Sequence, residues 1–355
     1  MAAGGSRNAP TGIIMKPHKI LFSFLLFSIL FGTTHPALAG PTLDSVKKKG
    51  FVQCGVNKGL AGFASLTSQG QWQGIDVDIC RAIAAAVFND ASKVQFTPLN
   101  AQQRFTALQS GEVDVLVRNT TATLTRDASL GINFAPTYFY DGQGFMVLKS
   151  SNIKSATELA GATVCAQSGT TTEKNMADYF RTLKISYKPL AMEDHNTLKD
   201  AFFNGRCDVF TTDKSGLAVV RSEAKNPNDY IILPETISKE PFAPAVRHGD
   251  SEWQDVVTWA VNAMIDAEEL AVNSQNVDAM LTSDNPEIQR LLGVNPEAAQ
   301  ALKLDPKWAY TIIKTVGNYG EIFERNVGQG SVLKLDRGLN QLWSKGGILY
   351  APPVR

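Results

Sequence analysis

Leu108-Gln-Ser-Gly-Glu-Val-Asp-Val115 and Phe202-Phe-Asn-Gly-Arg-Cys-Asp-Val209 share one pattern. In each, an apolar helix end is stopped by glycine, and a strand begins at once. The first copy runs on into Asn119-Thr-Thr-Ala-Thr-Leu-Thr-Arg126, and the second into Phe210-Thr-Thr-Asp213. Upstream, Gly50-Phe-Val-Gln-Cys54 and Gly161-Ala-Thr-Val-Cys165 open the two halves with the same Gly-to-Cys spacing. One construction is used twice, and the two halves end in chemically different strand exits.

The segments between alternate in period. Asp76 is placed to cap a helix whose apolar face is Ile79, Ile83, Ala86 and Val87. Val94 to Pro98 reads as a short strand, and Phe105 and Leu108 belong to the helix that Gly111 ends. In the second half, Thr163 to Gln167 is a strand and Ser168-Gly-Thr-Thr171 a loop. Thr170 with Glu173 has capping-box spacing, and Leu198, Ala201 and Phe202 mark the helix before Gly205. This alternation predicts an α/β protein of two lobes, each an open, mostly parallel sheet flanked by helices, with ligands outside the carboxyl ends of the strands. Tyr138 to Gly142 and Lys239 to Val246 read as crossovers joining the lobes by a two-strand hinge. The expected organisation is a signal peptide over 1–39, lobe 1 over 40–140, lobe 2 over 141–240, and a return to lobe 1 with a helical tail over 241–355. Asn285-Pro286 and Asn295-Pro296 fit helix starts in that tail, which is expected to act as a structural cover.

The segment before Gly40 does not belong to the fold. Lys16 and Lys19 precede the apolar run Ile20 to Phe31, and Ala37-Leu38-Ala39 closes it. That is the order of a secretory signal peptide, and the run is shorter than the ~20 apolar residues a bilayer span needs. Met15 is a candidate true start. The expected mature chain is soluble, periplasmic and long enough for two cores. Of the 34 Lys and Arg, Arg7, Lys16 and Lys19 leave with the signal, so 31 face 34 Asp and Glu. A slightly acidic chain without a basic block argues against a nucleic-acid partner. Four cysteines remain, Cys54, Cys80, Cys165 and Cys207, and they allow three connectivities. Export permits disulfides, and the lobe division favours Cys54–Cys80 and Cys165–Cys207. No Cys-x-x-Cys spacing supports zinc, so neither metal nor cofactor is expected. Only His195 and His248 remain after the signal, and Gly-x-Ser-x-Gly is absent, which leaves little for nucleophilic catalysis.

The exits carry the chemistry. Arg126 offers a planar fork to a carboxylate, and threonines beside it add neutral donors. Asp213 at the matching exit is the counterpart for an ammonium. Together they describe a site for a zwitterion such as a free amino acid. Blander roles compete. Arg126 could be a surface residue after a turn, and Asp213 could cap the helix starting near Lys214. Thr123 and Thr125 fit loop stabilisation. Asp76 and Asp78 look like a catalytic pair but suit helix capping and first-turn charge better. Arg104 and Arg118 could reach an acidic ligand side chain or serve structural ion pairs. Trp72 suits packing.

These motifs act in combination: Gly74-Ile-Asp-Val-Asp78, Ala107-Leu-Gln-Ser-Gly-Glu-Val-Asp114, Thr121-x-Thr-x-x-Arg126, Phe134-Ala-Pro-Thr-Tyr138, Ser168-Gly-Thr-Thr171 and Asp208-Val-x-x-Thr-Asp213. With them the chain resembles the family 3 bacterial extracellular solute-binding proteins, over about Leu43 to Ile265 and again Gly317 to Gly347. The four cysteines, Trp72 and the long tail resemble its general L-amino-acid branch. The resemblance implies that Arg126 clamps the ligand α-carboxylate, with Thr121 beside it and the Asn119 backbone lining the cleft. It implies that Thr171 meets the same carboxylate from a helix start and that Asp213 pairs with the α-ammonium. Two positions depart. Leu60 stands where relatives place a stacking ring, and Asn57 where binders of basic amino acids place an acid. Phe63 is expected near the entrance. A broad pocket reading the shared zwitterion follows, best suited to polar and acidic side chains and their amides. The implied protein is a monomeric receptor, not an enzyme, that feeds the membrane permease of an ABC importer. A cyclohexadienyl dehydratase-like enzyme on the same scaffold is the alternative, and a sensory module a third reading.

Overall fold

The computed structural model describes residues 42–355, so the expected signal peptide lies outside the described residues. Two five-stranded sheets organise the chain. The first has the spatial order Val94–Leu99, Val52–Asn57, Val115–Leu116, Ala245–Arg247, Ile132–Phe134. The second has the order Lys188–Met192, Thr163–Gln167, Val209–Asp213, Gln143–Leu148, Tyr230–Ile232. The repeated construction is thus a repeated topology.

The sheets are mixed rather than mostly parallel. In the first, Val52–Asn57 runs parallel to both neighbours, whereas Ala245–Arg247 is antiparallel to both of its own. The second repeats this, with Thr163–Gln167 parallel to its neighbours and Gln143–Leu148 antiparallel to its own. The reason is connectivity. Strands joined through a helix return in parallel. Ala245–Arg247 and Gln143–Leu148 instead enter directly from the hinge, with no helical crossover before them. In each sheet this antiparallel strand lies beside the strand that carries a site exit.

Local chemistry sets the helices that frame the exits. The helix Ile75–Phe88 begins after Gly74, at φ 129, where an added Cβ would collide with the Phe63 carbonyl. Asp76 is therefore inside the first turn and fully buried, not a cap. The helix Gln103–Ser110 stops at Gly111, at φ 80, as the sequence pattern requires. The helix Thr171–Leu183 is capped by the Thr170 hydroxyl, which accepts from Glu173 N. The reciprocal bond goes one residue further back, from Gly169 N to Glu173 Oε2 at 3.1 Å.

The tail belongs to the core of the first sheet. Trp308, Ile312, Ile313, Ile322 and Phe323 pack with the helices Ile75–Phe88 and Ser251–Glu269 in one buried cluster. The second sheet has separate clusters on its two faces, around Phe145 and Phe180, and around Phe202 and Phe210. Cys54 pairs with Cys80 and Cys165 with Cys207, at Cα separations of 6.2 and 5.8 Å. The first ties the strand Val52–Asn57 to the helix Ile75–Phe88 and the second ties Thr163–Gln167 to the turn before Val209–Asp213, each a constraint worth ~2–4 kcal/mol. Trp72 packs half-buried against Phe96.

Two short strands, Phe139–Asp141 and Glu240–Phe242, pair antiparallel as the hinge ribbon. The tail grips its outer edge. Asn340 Nδ2 donates to Tyr140 O at 3.0 Å, and Tyr140 N donates to Asn340 Oδ1 at 2.7 Å. Tyr319 donates its hydroxyl to Tyr138 O at 2.7 Å.

Candidate functional site

The first exit is stitched in place by its backbone. Asn119 takes φ 32, a conformation asparagine tolerates, and its N–H donates to Asp76 Oδ2 at 2.9 Å. Its side-chain Oδ1 accepts from Asn57 Nδ2 at 3.0 Å. Ala122 N donates to Pro241 O at 2.8 Å, and Ala243 N to Thr120 O at 3.0 Å, so the loop forms a rung on the hinge strand. The Thr123 hydroxyl then caps the short helix Leu124–Ser129, which presents Arg126.

Arg126 is 8% exposed. It spends Nη1 on Thr121 O at 2.8 Å and lies 5.1 Å from the centre of the Phe105 ring. Its surface alternative is thereby set aside. Arg104, 3% exposed, lies at 4.8 Å over the same ring. Arg104 Nε has no hydrogen-bond partner, and Nη1 reaches Thr120 Oγ1 only at 3.4 Å. Arg118 is buried too, but its Nε is committed to Leu99 O at 2.9 Å. Burial lowers the pKa of all three guanidinium groups, that of Arg118 to about 10. Arg104 carries added repulsion from Arg118 and Arg126.

The second exit differs. Asp213 precedes the helix Lys214–Ser222 but makes no side-chain capping bond. Its Oδ1 is buried without a partner. Burial first, then the charges of Asp141 and Glu240, hold its carboxyl well above the usual range, against the pull of Arg104 and Arg126. Asp141, in the hinge ribbon, is raised to about 6 chiefly by burial, although Gly142 N and Ser215 N donate to it. Asp76 is raised to about 6 by burial, offset by bonds from Tyr138 and Asn119 and the nearby Arg118 charge. Its role is to support the first exit from beneath. Asp78 pairs with Arg81 and Arg325, a structural arrangement. Both carboxyl groups are thus engaged in structural contacts.

The remaining expected residues sort unevenly. Thr171 is the first residue of its helix, and its hydroxyl donates to Glu240 Oε2 at 2.9 Å. Thr121, 3% exposed, donates to the same oxygen at 2.6 Å. Leu60, 6% exposed, forms a bridge with Ala64 beside the Asn57 loop. Phe63 is not at an open entrance. It is fully buried, edge-on to the hinge rings Phe139 and Phe242 at 5.3 and 5.9 Å, because a ring beneath two other rings hides more surface than one in water.

Glu240 was missed by the sequence reading. It lies in the hinge strand, 1% exposed, at the meeting point of residues from both halves. The available signal was a lone acid in a crossover, Lys239 to Val246, that is otherwise apolar apart from Lys239. Chemically, the arrangement offers cationic groups from the first exit and a carboxyl with a free oxygen from the second. That is complementary to a small zwitterion, and Arg104 extends the cationic side.

The sequence profile of the bacterial extracellular solute-binding proteins, family 3, matches residues 52–276. The general L-amino acid-binding periplasmic protein AapJ of Rhizobium johnstonii is 58% identical over 321 residues, 90% of this chain and 94% of its own length. The glutamate/glutamine/aspartate/asparagine-binding protein BztA of Rhodobacter capsulatus is 47% identical over 342 residues, 96% of this chain and 100% of its own. Among solved structures, a periplasmic binding protein of an ABC transporter from Brucella ovis, with glutathione bound, superposes with TM-score 0.87 at 57% identity. It covers 88% of this chain and 99% of its own.

Proposed function

The chain belongs to the bacterial extracellular solute-binding proteins, family 3, and from that premise we propose that it is a periplasmic receptor for L-amino acids serving an ABC importer. The observation that carries the reading is the pairing of exits: Arg126, buried and aimed by its Thr121 bond, and Asp213, buried with an unpartnered oxygen. An amino-acid carboxylate satisfies the first and an ammonium the second. The named ligands of the relatives agree in class: general L-amino acids in one, and glutamate, aspartate and their amides in the other.

Binding starts on the first half, where Arg126 and the Asn119–Thr121 backbone take the carboxylate. Hinge closure, the motion typical of periplasmic binding proteins, then brings Asp213 and the start of the Thr171 helix onto the ligand. Free N–H groups at that helix start favour an anion. The ligand drives closure only through contacts it makes in the closed state, which here come from the second half. A membrane permease would then read the closed shape. Arg104, with Nε free, is better placed than Arg118 to meet a second acidic group. Glutathione, held by the Brucella ovis protein, presents an α-amino-acid zwitterion at its γ-glutamyl end and a second carboxylate at the other. The same pair of demands fits this cleft, so γ-glutamyl peptides join the candidate ligands.

The relatives at 47–58% identity are named as binding proteins, which favours the receptor over the dehydratase-like alternative. We take the protein as a non-catalytic monomer exported by its first 39 residues. Calorimetric titration with the twenty L-amino acids, glutathione and D-glutamate as control tests the reading. One-to-one binding of several polar L-amino acids, with D-glutamate far weaker, is expected. Heat from none of them, or turnover of prephenate or arogenate, overturns it.

A further inference from the structure

The hinge acid Glu240 is the least explained group near the cleft. It is 1% exposed, and four side chains meet its two oxygens. Oε2 accepts from the Thr121 hydroxyl at 2.6 Å and the Thr171 hydroxyl at 2.9 Å. Oε1 accepts from Asn175 Nδ2 at 2.7 Å and the Ser238 hydroxyl at 2.7 Å. Thr121 follows the strand exit of the first sheet, whereas Thr171 and Asn175 lie in a helix on the second. A single oxygen of the hinge strand therefore joins the two halves.

A carboxylate can only accept, so each hydroxyl proton points at Glu240. Each hydroxyl has one proton. Thr121 and Thr171 then turn lone pairs, not protons, toward anything else within reach. Neither hydroxyl is left to donate to a ligand carboxylate, which must rely on Arg126 and backbone N–H groups. Bonds to an ionised acceptor are the stronger kind, and a carboxylate fully supplied with donors is a tolerable buried charge. The Glu240 charge also acts on the exits, favouring the cationic form of Arg126 and opposing ionisation of Asp213.

We propose that Glu240 is a positioning residue of the amino-acid site, a hinge-borne acceptor that orients the Thr121 and Thr171 hydroxyls and latches the two halves together through them. The proposal rests on the receptor reading above. It separates Glu240 from the ligand: it acts through the threonines and touches no ligand atom itself.

Glu240→Gln keeps the size and replaces one acceptor oxygen by a donor, so at least one hydroxyl must turn away. Titration with L-glutamate and L-glutamine is expected to show at least a tenfold loss of affinity for both. The ligand-induced rise in melting temperature should shrink, while the ligand-free melting temperature moves far less. The Thr171→Val variant, alone and combined with Glu240→Gln, tests the latch. The combined loss should be close to that of Glu240→Gln alone, because both changes break one connection. Wild-type affinity in Glu240→Gln, or losses that multiply in the double variant, overturns the proposal. If Glu240→Gln does not fold, Glu240→Asp serves: it keeps the charge but withdraws the oxygens, and the same loss is expected, with undiminished affinity as the overturning result. A wild-type protein that binds neither amino acid would sink the receptor reading itself, whereas normal wild-type binding with an unaffected Glu240→Gln would sink this proposal alone.

Discussion

The two strand exits began as copies and ended as opposites. At the first, the backbone is tied down and the arginine aimed: Asn119 N with Asp76, Ala122 N with Pro241 O, Arg126 Nη1 with Thr121 O. At the second, Asp213 has an oxygen with no partner, and burial holds its carboxyl pKa well above the usual range. The first has met its ordering cost during folding, so a ligand finds a rigid seat. The second holds a buried carboxyl that Arg104 and Arg126 offset only in part, and that an incoming cation would relieve further. In the proposed receptor this division has a use: the rigid seat would set affinity, and the carboxyl of the second exit would supply the difference between open and closed.

The strongest way to break this comparison is Arg126→Ala. Removing one partner of a buried charge pair costs about 2–5 kcal/mol, or roughly 30- to 4,000-fold at ~1.4 kcal/mol per decade. Calorimetry should show the loss for every amino acid alike; a ligand that escapes it does not use the first exit. Asp213→Asn comes next. It removes the charge and keeps the shape, and the loss of a bond to a charged group, about 1.5–3 kcal/mol, corresponds to roughly 10- to 150-fold. Small-angle scattering should then show a ligand-saturated protein less closed than wild type, and equal closure would return Asp213 to a structural role.

A subtler test uses protons. The Asp213 carboxyl is raised well above 3.8 in the ligand-free protein. An ammonium beside it favours the ionised form, so binding lowers the pKa and releases a proton. Affinity should rise with pH through the range below the raised value and level off once pH exceeds it. The stability sign is opposite: an acid raised by folding stabilises fully below its unfolded value, and that contribution is lost as pH rises through the folded one. Calorimetry in buffers of different ionisation enthalpy should detect the released proton in wild type and none in Asp213→Asn. The smallest effect belongs to Thr123→Ala. Loss of this cap costs ~0.5–2 kcal/mol of stability, visible in the melting temperature, with affinity near wild type because Arg126 keeps its bond to Thr121 O.

Much of this was legible because it is local. Glycine stops, helix periods and the repeated Gly-to-Cys spacing are short-range signals, and they marked the two strand exits; the lobe division they imply favoured the two cysteine pairs that form. What escaped depends on distant partners. The antiparallel strands Ala245–Arg247 and Gln143–Leu148 take their direction from the hinge that feeds them, which no period reveals. Asp76 looked like a cap because its neighbours are helical, yet its fate is set by Tyr138, whose hydroxyl donates to it across the core. Phe63 was misplaced for the same reason, since its burial depends on Phe139 and Phe242. Glu240 was hidden inside a crossover read only as a connection between the lobes.

The grip of Asn340 on Tyr140 has a mechanical meaning. A ribbon of two strands can twist as well as bend, and free twisting would let one half arrive at the other in many orientations. With its outer edge clamped by an amide and a tyrosine from the tail, the ribbon behaves as an axle seated in a bearing. Gly142, which follows the clamped strand, has no room for a side chain: an added Cβ would strike Thr236 and lie 2.8 Å from Ser238 O. The tail thus fixes the strand from which the chain enters Gln143–Leu148, where Gln143 is the ladder partner of Asp213.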